Sequence, residues 1–209
     1  MNLIVTCLHQ ETPLLPSQVQ SLSQYLKVLK KLVCSTEVSA AINESKLYAH
    51  FISIGERIAC TGLTGEIQPK MLVFLEHLLG FLANSVTSSG DEAFAAQVLG
   101  DLFDASSLYE SILDADQILD EDIYHPLLVL MHNSFKRITH KSSLLPKARL
   151  EIIFNKVEEA SQGNLSDRIT EWFTLTIVAL LNCLPLVYRE CFTASSRVKL
   201  LALAKNTLE

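Results

Sequence analysis

Phe81-Leu82-Ala83-Asn84-Ser85 is the stretch that decides the fold, because the chain writes it again in outline. Leu130-Met131-His132-Asn133-Ser134 and Ala179-Leu180-Leu181-Asn182-Cys183 place their asparagines 49 residues apart in turn, and one step of 49 backwards lands on Ser35 in Leu32-Val33-Cys34-Ser35. The positions ahead of each asparagine fall into the same register. Tyr25, Phe74, Ile123 and Trp172 share a column, and Leu26, Leu75, Tyr124 and Phe173 share the next. Leu29, Leu78 and Leu127 form a third, broken by Thr176. Leu32, Phe81, Leu130 and Ala179 form a fourth, and Val33, Leu82, Met131 and Leu180 a fifth. Apolar columns at offsets 0, 1, 4, 7 and 8 trace one face of an α-helix. One matched pair of asparagines would be chance; four segments agreeing in five apolar columns predict four equivalent helices.

Outward from these helices, each is followed by a polar break and a second helical pattern. The second patterns carry Leu47, Phe51, Ile54 and Ile58; Phe94, Val98, Leu102 and Phe103; Leu150, Ile153, Phe154 and Val157; and Val198, Leu201 and Leu203. The breaks are Ser88-Ser89-Gly90-Asp91, Ser142-Ser143 and Ser195-Ser196, which suit helix ends and starts. Pro13 and Pro16 precede the first long helix, and Pro69 and Pro126 fall near helix starts, where proline is tolerated. A period near 50 with two or three helices per unit predicts an all-α, armadillo/HEAT-like α-solenoid of about four helical units, with residues 1–209 as a single repeat domain. Neither end carries the polar cap such an array needs. The sequence therefore predicts either part of a longer array or apolar end helices that a partner chain buries.

Composition agrees with a helical, well-packed chain. The 209 residues are 49% hydrophobic and 19% charged, with 7 Gly and 6 Pro, which excludes a disordered chain and speaks against a turn-rich all-β one. Seventeen Lys and Arg against 23 Asp and Glu give a net charge of −6, which argues against tracking nucleic-acid phosphates. The five cysteines, Cys7, Cys34, Cys60, Cys183 and Cys191, are odd in number and widely spaced, with no C-x-x-C pair. They read as small hydrophobes in a reducing compartment. The start Met1-Asn2-Leu3-Ile4-Val5 lacks a basic n-region and a signal-length apolar run. The membrane candidate is Phe173 to Tyr188, short for a span and interrupted by Asn182 and Pro185. The expectation is a cytoplasmic chain that meets neither membrane nor nucleic acid.

Leu79-Gly80-Phe81-Leu82-Ala83-Asn84 is similar to the third helix of armadillo repeats. A longer set of residues resembles the N-terminal half of the ataxin-10 family: Glu171-Trp172-Phe173, Leu175 and Ile177, then Pro185-Leu186-Val187 and Phe192, then Arg197-Val198 and Leu200-Leu201. Phe81-Leu82-Ala83-Asn84 with Asp91-Glu92 resembles an earlier stretch of the same half, and the likeness runs over residues 25 to 209. The C-terminal armadillo-like region of that family has no counterpart here. The resemblance implies a cytoplasmic, non-enzymatic armadillo-like scaffold, associated in the family with cytokinesis and neuronal maintenance.

The chemical motifs are thin. Gly62-Leu63-Thr64-Gly65 lacks the lysine and length of a phosphate loop, and no G-x-G-x-x-G or G-x-S-x-G occurs. Asp114, Asp116, Asp120, Glu121 and Asp122 cluster, but Leu119 stands where a calcium loop needs glycine, so a solvated acidic loop is expected. His125 and His132, two turns apart on one expected helix, suit a core or groove lining rather than a metal. No catalytic residue, metal or cofactor is expected. Residues 101–122 carry eight acids and no base, and residues 136–149 five bases and no acid. Such stretches make two solvated faces, or two patches that orient a partner.

The asparagine column carries the functional expectation. An amide offers donors and an acceptor, so it can pair with the backbone of an extended peptide. By the armadillo resemblance Asn84, Asn133 and Asn182 would line a concave groove that binds a protein partner, with Trp172 either an aromatic anchor or core. The competing expectation is that each amide satisfies a carbonyl at its own helix C-terminus. The chain reads as an interaction scaffold, or as a structural segment of a larger assembly prone to self-association.

Overall fold

The computed structural model describes residues 13–60, 67–114, 121–138 and 166–183. These residues form helices, with no strand among them. The helices are α1 (Pro16–Leu32), α2 (Thr36–Ser45), α3 (Leu47–Cys60), α4 (Ile67–Ser89), α5 (Glu92–Asp104), α6 (Ser106–Asp114), α7 (Glu121–Arg137) and α8 (Asp167–Cys183). The chain is all-α over this range.

Local chemistry fixes the boundaries. Pro16 opens α1 at its first position, where no backbone donor is needed, and Gln18 reaches back so that its Oε1 accepts from the Leu15 N–H at 2.8 Å. Lys30 and Lys31 sit in the last turn of α1, against the negative end of the helix dipole. Between α4 and α5 the chain reverses at Gly90, whose φ of 66° falls in the left-handed region that glycine adopts without strain. Asp91 then caps α5, its carboxylate accepting from the Ala93 N–H at 2.9 Å. Pro126 lies inside α7 rather than at its start, about a turn and a half in. It removes one donor from the ladder there, facing Asp122.

The four long helices that carry the repeat pack in chain order: α1 against α4, α4 against α7, and α7 against α8. The shorter helices pack behind them, with α3 against α6, α2 against α4, and α5 against α7. The columns explain the row. Leu26, Leu75, Tyr124 and Phe173 are all buried, as are Val33, Leu82, Met131 and Leu180. In the other columns Phe74, Ile123, Phe81, Leu130 and Ala179 are buried, while Tyr25 and Leu32 on α1 are exposed and Trp172 is half-buried. Thr176, which interrupts a leucine column, is buried with Oγ1 3.1 Å from the Leu128 carbonyl and 2.7 Å from that of Trp172. Its one proton therefore ties α8 either to α7 or to its own preceding turn.

The short helices α2 and α6 add to the pairs the sequence pattern showed, within the two or three helices expected per period. The residues 150–157 and 198–203 assigned to later second helices lie outside the described residues. The membrane candidate changes: among the described residues the helical stretch long and apolar enough to cross a membrane is Pro69–Ser89 in α4, and 67% of its apolar window is buried inside the fold. That degree of burial is what a core helix shows. Residues 184–188 of the original candidate lie outside the described residues.

Candidate functional site

Four helices in a row leave a shared face, and a cleft of about 250 Å³ opens on it. Lys30 of α1, Glu76, Gly80 and Asn84 of α4, His125 of α7 and Arg168 of α8 all contribute to its walls, together with Glu121 and Asp122. Each helix of the row supplies at least one residue.

Lys30 is fixed at one end of the cleft. Its Nζ stands 3.8 Å from Glu76 Oε1. Its stem crosses Gly80 so closely that a β-carbon there would lie 2.5 Å from Lys30 Cε. Gly80 is thus the space through which the lysine passes. The Lys30 carbonyl, one of those a helix C-terminus leaves unpaired, accepts from Asn84 Nδ2 at 2.7 Å. This corrects the expectation that each amide closes its own helix. Asn84 closes the end of the preceding long helix instead, 54 residues back, and so ties α1 to α4. Asn84 also lines the cleft, and its amide has an acceptor and a second N–H beyond that bond.

Asn133 repeats the device one helix later: its Nδ2 donates to Thr87 Oγ1 of α4 at 2.8 Å. Arg137, one turn on, donates to the Thr87 carbonyl at 2.8 Å and to the Asn133 carbonyl at 3.0 Å. Thr87 in turn donates to the Ala83 carbonyl at 2.7 Å. Asn182 is exposed near the end of α8. Of the four residues singled out from sequence, Asn84 lines the cleft, while Asn133, Asn182 and Trp172 fall outside its walls.

Trp172 sits between the two histidines of α7. Its ring meets His125 edge-on at 5.5 Å and His132 edge-on at 5.6 Å. The indole is thus a wedge that packs α8 onto α7 through both imidazoles. His132 Nδ1 lies 3.1 Å from the Leu175 carbonyl, and His125 Nδ1 lies 3.4 Å from an Arg168 nitrogen. Burial lowers the pKa of both rings. The Arg168 guanidinium lowers that of His125 further, whereas the Leu175 carbonyl works against the shift at His132. Both are therefore neutral near pH 7. A neutral His125 accepts from Arg168 through Nδ1 and keeps that cation at the cleft's edge.

The helix row was readable from the columns; the charged lining was not. Lys30, Glu76 and Arg168 occupy unremarkable positions in the sequence, at different offsets from the columns, and no spacing signal finds them. Among the described residues no group of three His, Cys, Asp or Glu could hold a metal ion. Comparison with protein-family models, with curated proteins and with solved structures finds no match to the chain.

Proposed function

We propose that the chain is a non-enzymatic interaction scaffold of the armadillo/HEAT-like solenoid kind, binding a protein partner along the face of the row α1–α4–α7–α8. The observation that carries the reading is that a single cleft takes walls from all four helices. An extended segment laid across the row meets Lys30, Asn84, His125 and Arg168 in turn. Asn84 presents an acceptor and a donor there, as backbone recognition requires. Asn133 and Asn182 continue the same column, and Trp172 packs between α7 and α8 beneath it. Glu121 and Asp122 at one wall, and Lys30 and Arg168 at others, give the face charges of both signs. The residues similar to ataxin-10 support a cytoplasmic scaffold, with a link to cytokinesis or neuronal maintenance as part of the same proposal.

The test is selection of unstructured peptides from a displayed library on the purified chain. The expected result is a family of extended sequences whose binding weakens about tenfold in both Asn84→Ala and Glu121→Lys. Enrichment that ignores both substitutions would sink the reading.

A further inference from the structure

A second surface lies on α1, apart from the cleft. Tyr25, Val28 and Leu32, spaced i, i+3 and i+7, form an apolar stripe that is 47, 57 and 51% exposed. Forty-nine residues on, the same stripe is Phe74, His77 and Phe81 of α4, and there it is buried. What buries it is a helix. The ring of Phe51 in α3 meets Phe81 edge-on at 5.8 Å. Gly55, one turn further along α3, comes so near that a β-carbon on it would lie 3.2 Å from Phe74 Cε1. The stripe is therefore a helix-receiving surface wherever a helix is present to be received.

The charge beside the stripe states what kind of helix fits α1. On α4, Glu76 and Gly80 flank the stripe and receive the ammonium and stem of Lys30 from α1, while α3 covers the stripe itself. The matching positions on α1 are Lys27 and Lys31, both exposed, and α1 contains no acidic residue. The sign is reversed where α4 has its carboxylate. The geometry points to this stripe as a docking site for an amphipathic helix of a partner protein that carries carboxylates along one flank of its apolar face. The inference goes beyond the cleft: the surface, the partner's conformation and its charge all differ. A second copy docking through its own α1 would set lysines against lysines, and like charges across an interface are repulsive. An anionic membrane would attract Lys27 and Lys31 but repel a chain of net charge −6.

The probes are two synthetic helices sharing the buried face of α3 (Tyr48, Phe51, Ile52, Gly55 and Ile58), one flanked by Glu and the other by Lys. Binding to the whole chain is read by fluorescence anisotropy, with circular dichroism on every variant. The Glu-flanked helix is expected to bind at least about tenfold more tightly than the Lys-flanked one, with the gap closing in high salt. Lys27→Glu with Lys31→Glu should reverse the preference. Tyr25→Ser with Leu32→Ser should abolish binding of both helices while leaving helicity unchanged, because both side chains are exposed. Equal binding of the two probes, or binding that survives Tyr25→Ser with Leu32→Ser, overturns the proposal. So does a dimer seen by light scattering, or association with vesicles of phosphatidylcholine and phosphatidylserine, that the same double substitution removes. Probe binding that appears only after Leu3→Asp also overturns it, since the chain's own N-terminal segment would then be the occupant.

Discussion

α4 and α1 are written on one pattern and live in different surroundings. Their apolar columns match position for position, yet Phe74 and Phe81 are fully buried where Tyr25 and Leu32 are half-exposed. The difference lies in the neighbours: α4 has α1, α2, α3, α5 and α7 around it, while α1 has α4 on one flank and an open stripe on another. A helical column thus reports which way a side chain faces, and burial depends on what is built opposite. The sharpest way to break this comparison is to truncate the same column in both helices. Phe81→Ala should cost about 3–5 kcal/mol, from lost transfer energy and the cavity left behind. Leu32→Ala should stay within about 0.5 kcal/mol, as exposed substitutions do. Urea unfolding followed by circular dichroism measures both. Similar costs at the two positions would mean that α1 is covered after all.

The comparison also shows what the sequence could carry. The long helices were legible because a packed row demands the same face from each member, and a demand repeated every 49 residues stands out from chance. The short helices α2 and α6 were not. Val38 and Ile42 supply too few apolar steps for a period, and the start of α6 depends on a side chain from elsewhere. The amides of Asn84 and Asn133 were found as a column, but the reading in which each closes its own helix missed that they reach the preceding long helix, since sequence spacing does not say which neighbouring helix an amide reaches. The cleft's cations and carboxylates were illegible for the same reason: their value comes from juxtaposition across helices.

The two ways of starting a helix extend the contrast between local and borrowed interactions. The first turn of α5 is capped from its own chain by Asp91. That of α6 is capped across the fold: Glu56 of α3 accepts from the Ser107 N–H at 3.1 Å and from the Leu108 N–H at 2.7 Å. Two charge-assisted bonds at a half-buried site, aligned with the helix dipole, stabilise more than one exposed cap. Glu56→Ala is therefore expected to cost about 1.5–3 kcal/mol, and Asp91→Ala about 1 kcal/mol. Equal values in thermal unfolding would remove the distinction. A smaller gradient runs along the asparagine column. Asn84→Ala should lose about 1 kcal/mol, as its bond closes a helix-end carbonyl. Asn133→Ala should lose less, because its partner is the hydroxyl of exposed Thr87, and Asn182→Ala nothing measurable. A flat series would show that the amides do not tie the row together.

The faintest of these contrasts is between the junctions of the row, and it is read by pH. α7 and α8 meet through Trp172 and two imidazoles, whereas α1 and α4 meet through an amide, a lysine and a glutamate. Burial depresses the pKa of His125 and His132 below the ordinary 6.5. Between the folded values and 6.5 the unfolded chain binds more protons, so stability rises with pH across that window. The contribution is complete above 6.5 and is lost as the pH falls toward the folded values. At His77, near α1, burial also depresses the pKa; the neighbouring Glu76 opposes the shift, and Lys30 and Lys27 add to it. The urea midpoint should therefore be lower at about pH 5.5 than at about pH 7.5, and His125→Gln with His132→Gln should shrink the difference. His77→Gln should shrink it less. The neighbouring charges explain the order: a protonated His125 has the Arg168 guanidinium 3.4 Å away, while a protonated His77 has a carboxylate 3.3 Å away. If His77→Gln has the larger effect, the α1–α4 junction is the pH-sensitive one and the ordering by neighbouring charge fails.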